Sequence, residues 1–440
     1  MKRKIKAFWV SMISLAVLLT GIGGVSAPAA AQEKIILKIT DWQAGVQNIL
    51  DSYREFIKIF EEKHPNVKVE YTQYSYTTYG EFLKPSLAAG TAPDIFAVYP
   101  GAELAKLVPS GNLVAISDVI DEEWKGWLGK AYYFNGATYE GKLWVAPQDA
   151  QTECVWIHKD MLEAAGMEVP ALGQGATVDE LIDLVEPAKQ LGYDVILAGF
   201  LDYYSVCGAY YNMAHQLQKT DTPDLVMKAL NGEISWQQDI FRLPMEAFKK
   251  MHEAHVWRED AINMDYQVQA WGKWLNREGI GIWCNGDWFA GSVPPEENNP
   301  DNPNIGTFMY PLVRKGVTSA YNWGFGTDLG IYSRGKHQDL AKEFIRFTNS
   351  PEGAKIFVKY YVNPAAAGAL DIRALPGTDN PIFDECIELF SSVEGRASEY
   401  FYTQAEAQDA LFTGTVNVMI GQQTIDDVLA NLDEVSGYKR

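Results

Sequence analysis

The sequence predicts an α/β fold, mostly parallel sheet flanked by helices, and three stretches near its start carry that reading. Residues 34–40 are aliphatic and β-branched enough for a strand. Val46, Ile49, Leu50, Tyr53, Phe56, Ile57 and Phe60 then recur at the spacing of one helix face. Pro65 and Asn66 stop that helix, and Val67, Val69 and Tyr71 alternate as the next strand. A second helix near residues 82–89 ends at Gly90, which readily takes the left-handed conformation of a helix end. Pro93 bars a restart and holds Ala92 extended. The apolar run at residues 95–99 is a short strand buried on both faces. This order of strands and helices requires crossover connections and parallel pairing. Ligands then sit at the carboxyl ends of the strands, here residues 40–43 and 98–101. Asp94 is expected to cap its own turn by accepting backbone hydrogen bonds.

The alternation resumes downstream. A second unit begins after residues 142–147, with a strand at 153–158 and a helix at 159–165 ended by Gly166. Another helix opens at Thr177, where Thr177-Val178-Asp179-Glu180 forms a capping box.

The start of the chain reads as an export leader. Lys2, Arg3, Lys4 and Lys6 precede a mostly apolar stretch, residues 7–25, and Ala27-Pro28-Ala29-Ala30-Ala31 offers small-residue cleavage after Ala31. Gly21, Gly23 and Gly24 interrupt the run, which weighs against a membrane anchor. No cysteine lies near Ala31, so a lipid anchor is not expected. Removal of residues 1–31 leaves about 409 of the 440 residues, enough for two lobes with separate cores. It also leaves 33 Lys and Arg against 57 Asp and Glu, a net charge of −24. That acidity excludes nucleic acid and anionic lipid as partners and disfavours an anionic ligand. Four cysteines, Cys154, Cys207, Cys284 and Cys386, allow three complete pairings, and their spacing does not choose among them.

Several segments, taken in order, resemble bacterial extracellular solute-binding proteins, the sugar-binding receptors of ABC importers, of the maltose-binding type. Residues 87–96 resemble the family's "laaGtaPDif", residues 141–147 its "GkvyGlP", residues 155–166 its "lyYNKdlfekaG" and residues 177–181 its "TwdEl". Residues 279–288 look like its "GkaAm.inGpW", and residues 340–355 like its "aAweFikfltspeaq" helix pair. Each motif alone is weak; the collinear set is specific. Ile157 and His158 depart from the "YN" of the third motif, and Asp287 replaces the proline of "NGPW". The resemblance implies a two-lobe periplasmic-binding-protein fold with about three hinge crossings. Lobe one would comprise residues 32–150 and 329–366, and lobe two residues 151–324 and 370–440.

The same resemblance directs the choice of ligand-binding candidates, because sugars stack on aromatic rings and need side-chain partners for their hydroxyls. Trp288 maps onto the stacking tryptophan of the maltose-binding members, with Asn285 and Asp287 beside it. Asp41 and Trp42 end the first strand, and Tyr99 ends the strand after the Pro-Asp motif. Gln151 aligns with an acidic hinge contact of the family, and Asp149 adjoins it. Trp323 precedes the returning strand at residues 329–332. Trp236, Trp257 and Trp271 are read as packing.

Catalytic and metal motifs are absent. There is no GxSxG, HExxH or GxxxxGK[ST]. His252 and His255 lack a third ligand at usable spacing, and residues 296–304 lack the EF-hand pattern. No cofactor is expected. The expected function is a monomeric, periplasmic receptor that closes on a carbohydrate and delivers it to the permease subunits of an ABC importer. The alternatives are the same fold binding a polyamine, polyol or other non-sugar solute, and a secreted carbohydrate-active enzyme.

Overall fold

The computed structural model of the chain describes residues 34–439, apart from 134, 219–223, 320, 367, 373–377, 393–394 and 398–401. The leader expected over residues 1–31 lies outside the described residues.

Two sheets organise the chain. In the first, Ile35–Asp41 lies between Val67–Gln73 and Ile95–Ala97 and runs parallel to both. The helices Gln47–Lys63 and Tyr76–Ala89 make the crossovers. Asp328–Tyr332 arrives from far along the chain and pairs antiparallel with Ile95–Ala97, Leu113–Val114 and Ala146–Pro147. In the second sheet Ala150–His158 is the hub, antiparallel to Gly279–Gly286, Ile305–Phe308 and Tyr321–Phe325. Asp194–Leu197 and Gly395–Ala397 add parallel pairings at its edges. Each sheet is therefore mixed, where the alternating pattern alone predicts mostly parallel pairing. The reason is the hinge. The outgoing crossing, Ala146–Pro147 into Ala150–His158, and the returning one, Tyr321–Phe325 into Asp328–Tyr332, run side by side in opposite directions. They pair with each other in both sheets.

Local signals act as their chemistry requires. Gly90 closes its helix at φ 74°. That helix starts at Tyr76, ahead of the apolar positions near residue 82, because Ser75 accepts the Thr78 N–H at 3.3 Å. Thr177 and Glu180 form the capping box. Asp94 does not cap its own turn: its carboxylate accepts the Lys38 N–H of the neighbouring strand at 3.0 Å. The strand begun at Ile95 ends at Ala97, since Tyr99 turns away to stack on Trp42.

Helices Gln338–Thr348 and Pro351–Lys359 cover the helix Gln47–Lys63, with Phe344 against Phe60 at 5.2 Å and Phe357 against Phe56 at 4.9 Å. The second sheet is packed with large rings instead. Trp257 meets Phe200 at 4.9 Å and Trp283 at 5.5 Å, while Trp271 stacks on Phe289 at 4.1 Å. Trp236, Trp257 and Trp271 are all buried. His252 accepts the Trp257 indole N–H at 3.0 Å. Among the described residues no group of three or more His, Cys, Asp or Glu is arranged to hold a metal ion. No described helix is long and apolar enough to cross a membrane.

Trp257→Ala is expected to cost about 3–5 kcal/mol of stability, the usual loss for deleting a fully buried large aromatic. Urea titration reads that loss, and ligand affinity of the folded fraction should stay at the wild-type value.

Candidate functional site

Three chain segments meet where the two sheets join. Asp149 accepts the Thr327 N–H at 2.8 Å through Oδ1 and the Gln151 amide at 2.7 Å through Oδ2. Its carbonyl accepts the Gly326 N–H at 2.9 Å. The third segment is tied in by Ala150 N–H to the Asn363 carbonyl, 2.8 Å, and by Ala365 N–H to the Gln148 carbonyl, 2.9 Å. Gly326 lets the Gln151 and Asp149 side chains close over it: a Cβ there would lie 1.9 Å from Gln151 Nε2 and displace that amide.

Directly above this junction lies a narrow crevice lined by Trp42, Gln43, Tyr76, Gln151, Tyr266, Gln267, Trp288 and Gly326. The first sheet and its helices supply Trp42, Gln43 and Tyr76, and the second side supplies Tyr266, Gln267 and Trp288. Tyr76 N–H donates to Gln267 Oε1 across it at 3.2 Å. The free volume is about 20 Å³, room for one water. Anything larger enters only if the two sides part. Trp288 is aimed here by a bulge in Gly279–Gly286, where the register to Ala150–His158 slips between Ile282 and Asn285. Cys284 takes the left-handed conformation at φ 56° within it. The indole N–H of Trp288 and both amide atoms of Asn285 are buried without a protein partner among the described residues.

Beneath the crevice the chain buries acids. Asp41 accepts from the Tyr71 hydroxyl and from the Gln43 N–H, the latter at 3.0 Å. Burial nonetheless pushes its carboxyl up to about 7. Burial raises Asp149 to about 6, held back by its bonds to Thr327 and Gln151. Asp328 is pushed well up by burial and by the Asp149 charge.

The expected site residues fall into three groups. Trp42, Gln151 and Trp288 line the crevice together, and Tyr99 stacks on Trp42 at 4.2 Å from a neighbouring chamber. Asp41, Asp149, Asn285 and Asp287 are fully buried and absent from the crevice wall. Trp323 contributes backbone to Tyr321–Phe325, and its side chain lies outside the described part of the chain. Tyr76, Tyr266, Gln267 and Gly326 complete the lining without having been expected, together with Gln43 from the strand-end range 40–43. Gln43 sits two residues past Asp41, at the strand end where ligands are anticipated, and was within reach of that rule. Tyr266 and Gln267 come from a one-turn π-helix, Tyr266–Ala270, that no periodicity announces. All four cysteines are buried and none is in a disulfide among the described residues, with the Cys386 thiol pushed up by burial and by the adjacent Cys154.

The family model for bacterial extracellular solute-binding proteins matches residues 43–355. The chain belongs to that family. Among its relatives, an uncharacterized ABC transporter extracellular-binding protein of Pyrococcus horikoshii is 24% identical over 368 residues, covering 79% of this chain and 76% of that one. The diacetylchitobiose binding protein of Streptomyces coelicolor is 23% identical over 315 residues, 70% of this chain and 66% of the other. A structure solved in connection with xylan utilization by Caldanaerobius polysaccharolyticus superposes with a TM-score of 0.75 at 19% identity, covering 91% of this chain and 99% of that one. This solute-binding protein therefore has the two-lobe fold of its relatives, and its crevice lies where the lobes meet.

Two outcomes test this site. Asp41 and Asp149 hold protons in the folded state at pH values where the unfolded chain, with carboxyls near 3.8, has released them. Their contribution is present in acid and withdrawn as pH rises from about 4 to 7. The protein is expected to resist urea better at pH 5 than at pH 7.5, and Asp41→Asn, which keeps an acceptor for Gln43 N–H, should flatten that slope. Separately, Gly291 abuts Asn48 of the opposite side so closely that a Cβ would lie 2.6 Å from the Asn48 Cβ. Gly291→Ala is expected to oppose closure by about 1–3 kcal/mol, an overpacking cost, and to weaken ligand binding accordingly in calorimetric titration.

Proposed function

We propose that this solute-binding protein is a carbohydrate receptor that parts its lobes to admit a mono- or oligosaccharide, closes on it and delivers it to the permease of an ABC importer. The lining of the crevice carries the reading. It consists of two tryptophans, two tyrosines, three glutamines and a glycine, with no charged side chain. Aromatic faces match the apolar faces of sugar rings, and amides both donate to and accept from hydroxyls. The names of two relatives, tied to diacetylchitobiose and to xylan utilization, agree with it.

In this proposal residues 32–150 and 329–366 form lobe one, and residues 151–324 and 370–440 form lobe two. Trp42, Gln151 and Trp288 touch the ligand, Tyr99 backs Trp42 from the neighbouring chamber, and Trp323 is a further ligand contact in this reading. Asp41, Asp149, Asn285 and Asp287 support that wall and meet hydroxyls as the lobes open and close. The receptor works without catalysis, as a monomer in the periplasm, after cleavage of its leader behind Ala31 and without a lipid anchor.

Trp288→Ala is the sharpest test. Loss of the stacking face is expected to cost about 2–4 kcal/mol of binding, in the range of large aromatic hot spots. That is a roughly thirtyfold to thousandfold weaker affinity by calorimetric titration against the best-binding oligosaccharide. Unchanged affinity with a lowered melting temperature would assign Trp288 to packing instead. Small-angle scattering of the wild type should show a smaller radius of gyration when that sugar is added.

A further inference from the structure

Beside the crevice and sharing Tyr76 with it lies a chamber of about 580 Å³, also between the lobes. Its wall differs from that of the crevice in carrying charge: Glu81, Lys84, Glu103, Asp202 and Asp409 all line it. Most of that charge is already answered. Lys106 binds Glu103 at 2.7 Å and Asp409 at 3.1 Å, joining the lobes at the chamber rim. Glu81 and Lys84 lie three positions apart on one exposed helix face.

Asp202 is different. It is 3% exposed, and the one hydrogen bond of its carboxylate among the described residues is a long contact, Tyr266 N–H to Oδ2 at 3.4 Å. Oδ1 meets no donor among the described residues. The residue stands at the N-terminus of the helix Tyr203–His215 yet does not cap it. An aspartate at this position ordinarily accepts a hydrogen bond from the first turn; here the carboxylate serves the chamber instead. Burial and the neighbouring Asp265 push its carboxyl up to about 7, and no cation offsets them. A nearly buried carboxylate without a counter-charge is costly to keep, and a ligand that brings the missing positive charge recovers that cost. The rings of Tyr76, Tyr99 and Phe412 line the same chamber, surfaces that attract an ammonium group.

We infer that the chamber binds a cationic part of the ligand, with Asp202 as its counter-ion, so that the receptor selects an oligosaccharide carrying free amino groups. This rests on the carbohydrate reading above. The neutral crevice takes one sugar ring, and the neighbouring amino sugar places its ammonium against Asp202 and the tyrosines. A neutral hydroxyl would give that carboxylate a dipole only; an ammonium gives it a charge-assisted hydrogen bond.

Calorimetric titration at pH 7.5 with three series of equal length tests the inference: β-1,4-linked glucosamine oligosaccharides, their N-acetylated counterparts and cello-oligosaccharides. The wild type is expected to bind the glucosamine series at least about tenfold more tightly than either neutral series. Asp202→Asn should abolish that preference, weakening the glucosamine series by about tenfold or more and leaving the neutral series within about twofold. Neutral sugars bound as tightly as amino sugars by the wild type would overturn the inference and leave the carbohydrate receptor standing, a result that does not depend on how the variant folds. Equal losses for all three series in Asp202→Asn would likewise overturn it. Failure of the wild type to bind any of the three would also overturn the inference, since the glucosamine series is the ligand it names.

Discussion

The hydrogen bonds of Asp149 hold the architecture together. Two lobes that must move relative to each other need a joint that bends without coming apart, and this joint is made where three strands of chain pass through one small volume. The Asp149 carboxylate and carbonyl bind the returning segment at Thr327 and Gly326. Its neighbours Gln148 and Ala150 bind the third segment at Ala365 and Asn363. Because the outgoing and returning segments pair antiparallel on both sides of the joint, rotation is shared over several peptide units and no single one takes it all. The same knot fixes the floor of the crevice, since Gln151 is held by Asp149 and also lines the wall above. Hinge and ligand floor are one structure.

The electrostatics around that floor follow from what the chain does not bury. Among the described residues the buried acidic side chains are Asp41, Asp149, Glu153, Asp202, Asp287, Asp328 and Asp433, and no lysine or arginine is buried. Their negative charge is therefore managed by neutral donors and by protons. Asp433 accepts from Ser235 and from the Trp236 N–H at 2.7 Å, so it serves a packing role. Asp41 and Asp149 are served by Tyr71, Gln43, Thr327 and Gln151. Asp202 alone faces a chamber large enough for a ligand.

Much of this was legible from the chain, and the boundary of legibility is a matter of range. The amphipathic helix at Gln47–Lys63, the stop at Gly90 and the capping box at Thr177 are decided within a few residues, and the sequence shows them. Trp42 was reachable because strand ends are where such folds keep their ligands, and Trp288 through the family motif it ends; both do line the crevice. Tyr76 and Gln267 were not, because their meeting spans 191 positions and depends on how the lobes close. Asp94 was misread for the same reason: its side chain is short enough to cap a turn, but the adjacent strand offers the better donor. The mixed character of the sheets is a long-range property too, set by two crossings that run alongside each other and invisible to any local pattern.

The interleaving of the sheets also sets a clock. Asp328–Tyr332 stands between Ile95–Ala97 and Leu113–Val114, so the first sheet stays open until the ribosome has passed residue 332. At ordinary rates of synthesis the interval after residue 150 is roughly 10–40 seconds. Throughout it the earliest strands have an unfilled position beside them, and long-range pairing of this kind is slow even when the partner is present. A chain so arranged reaches its folded form late. Until then the N-terminal strands wait on a segment of the chain that has not yet been made.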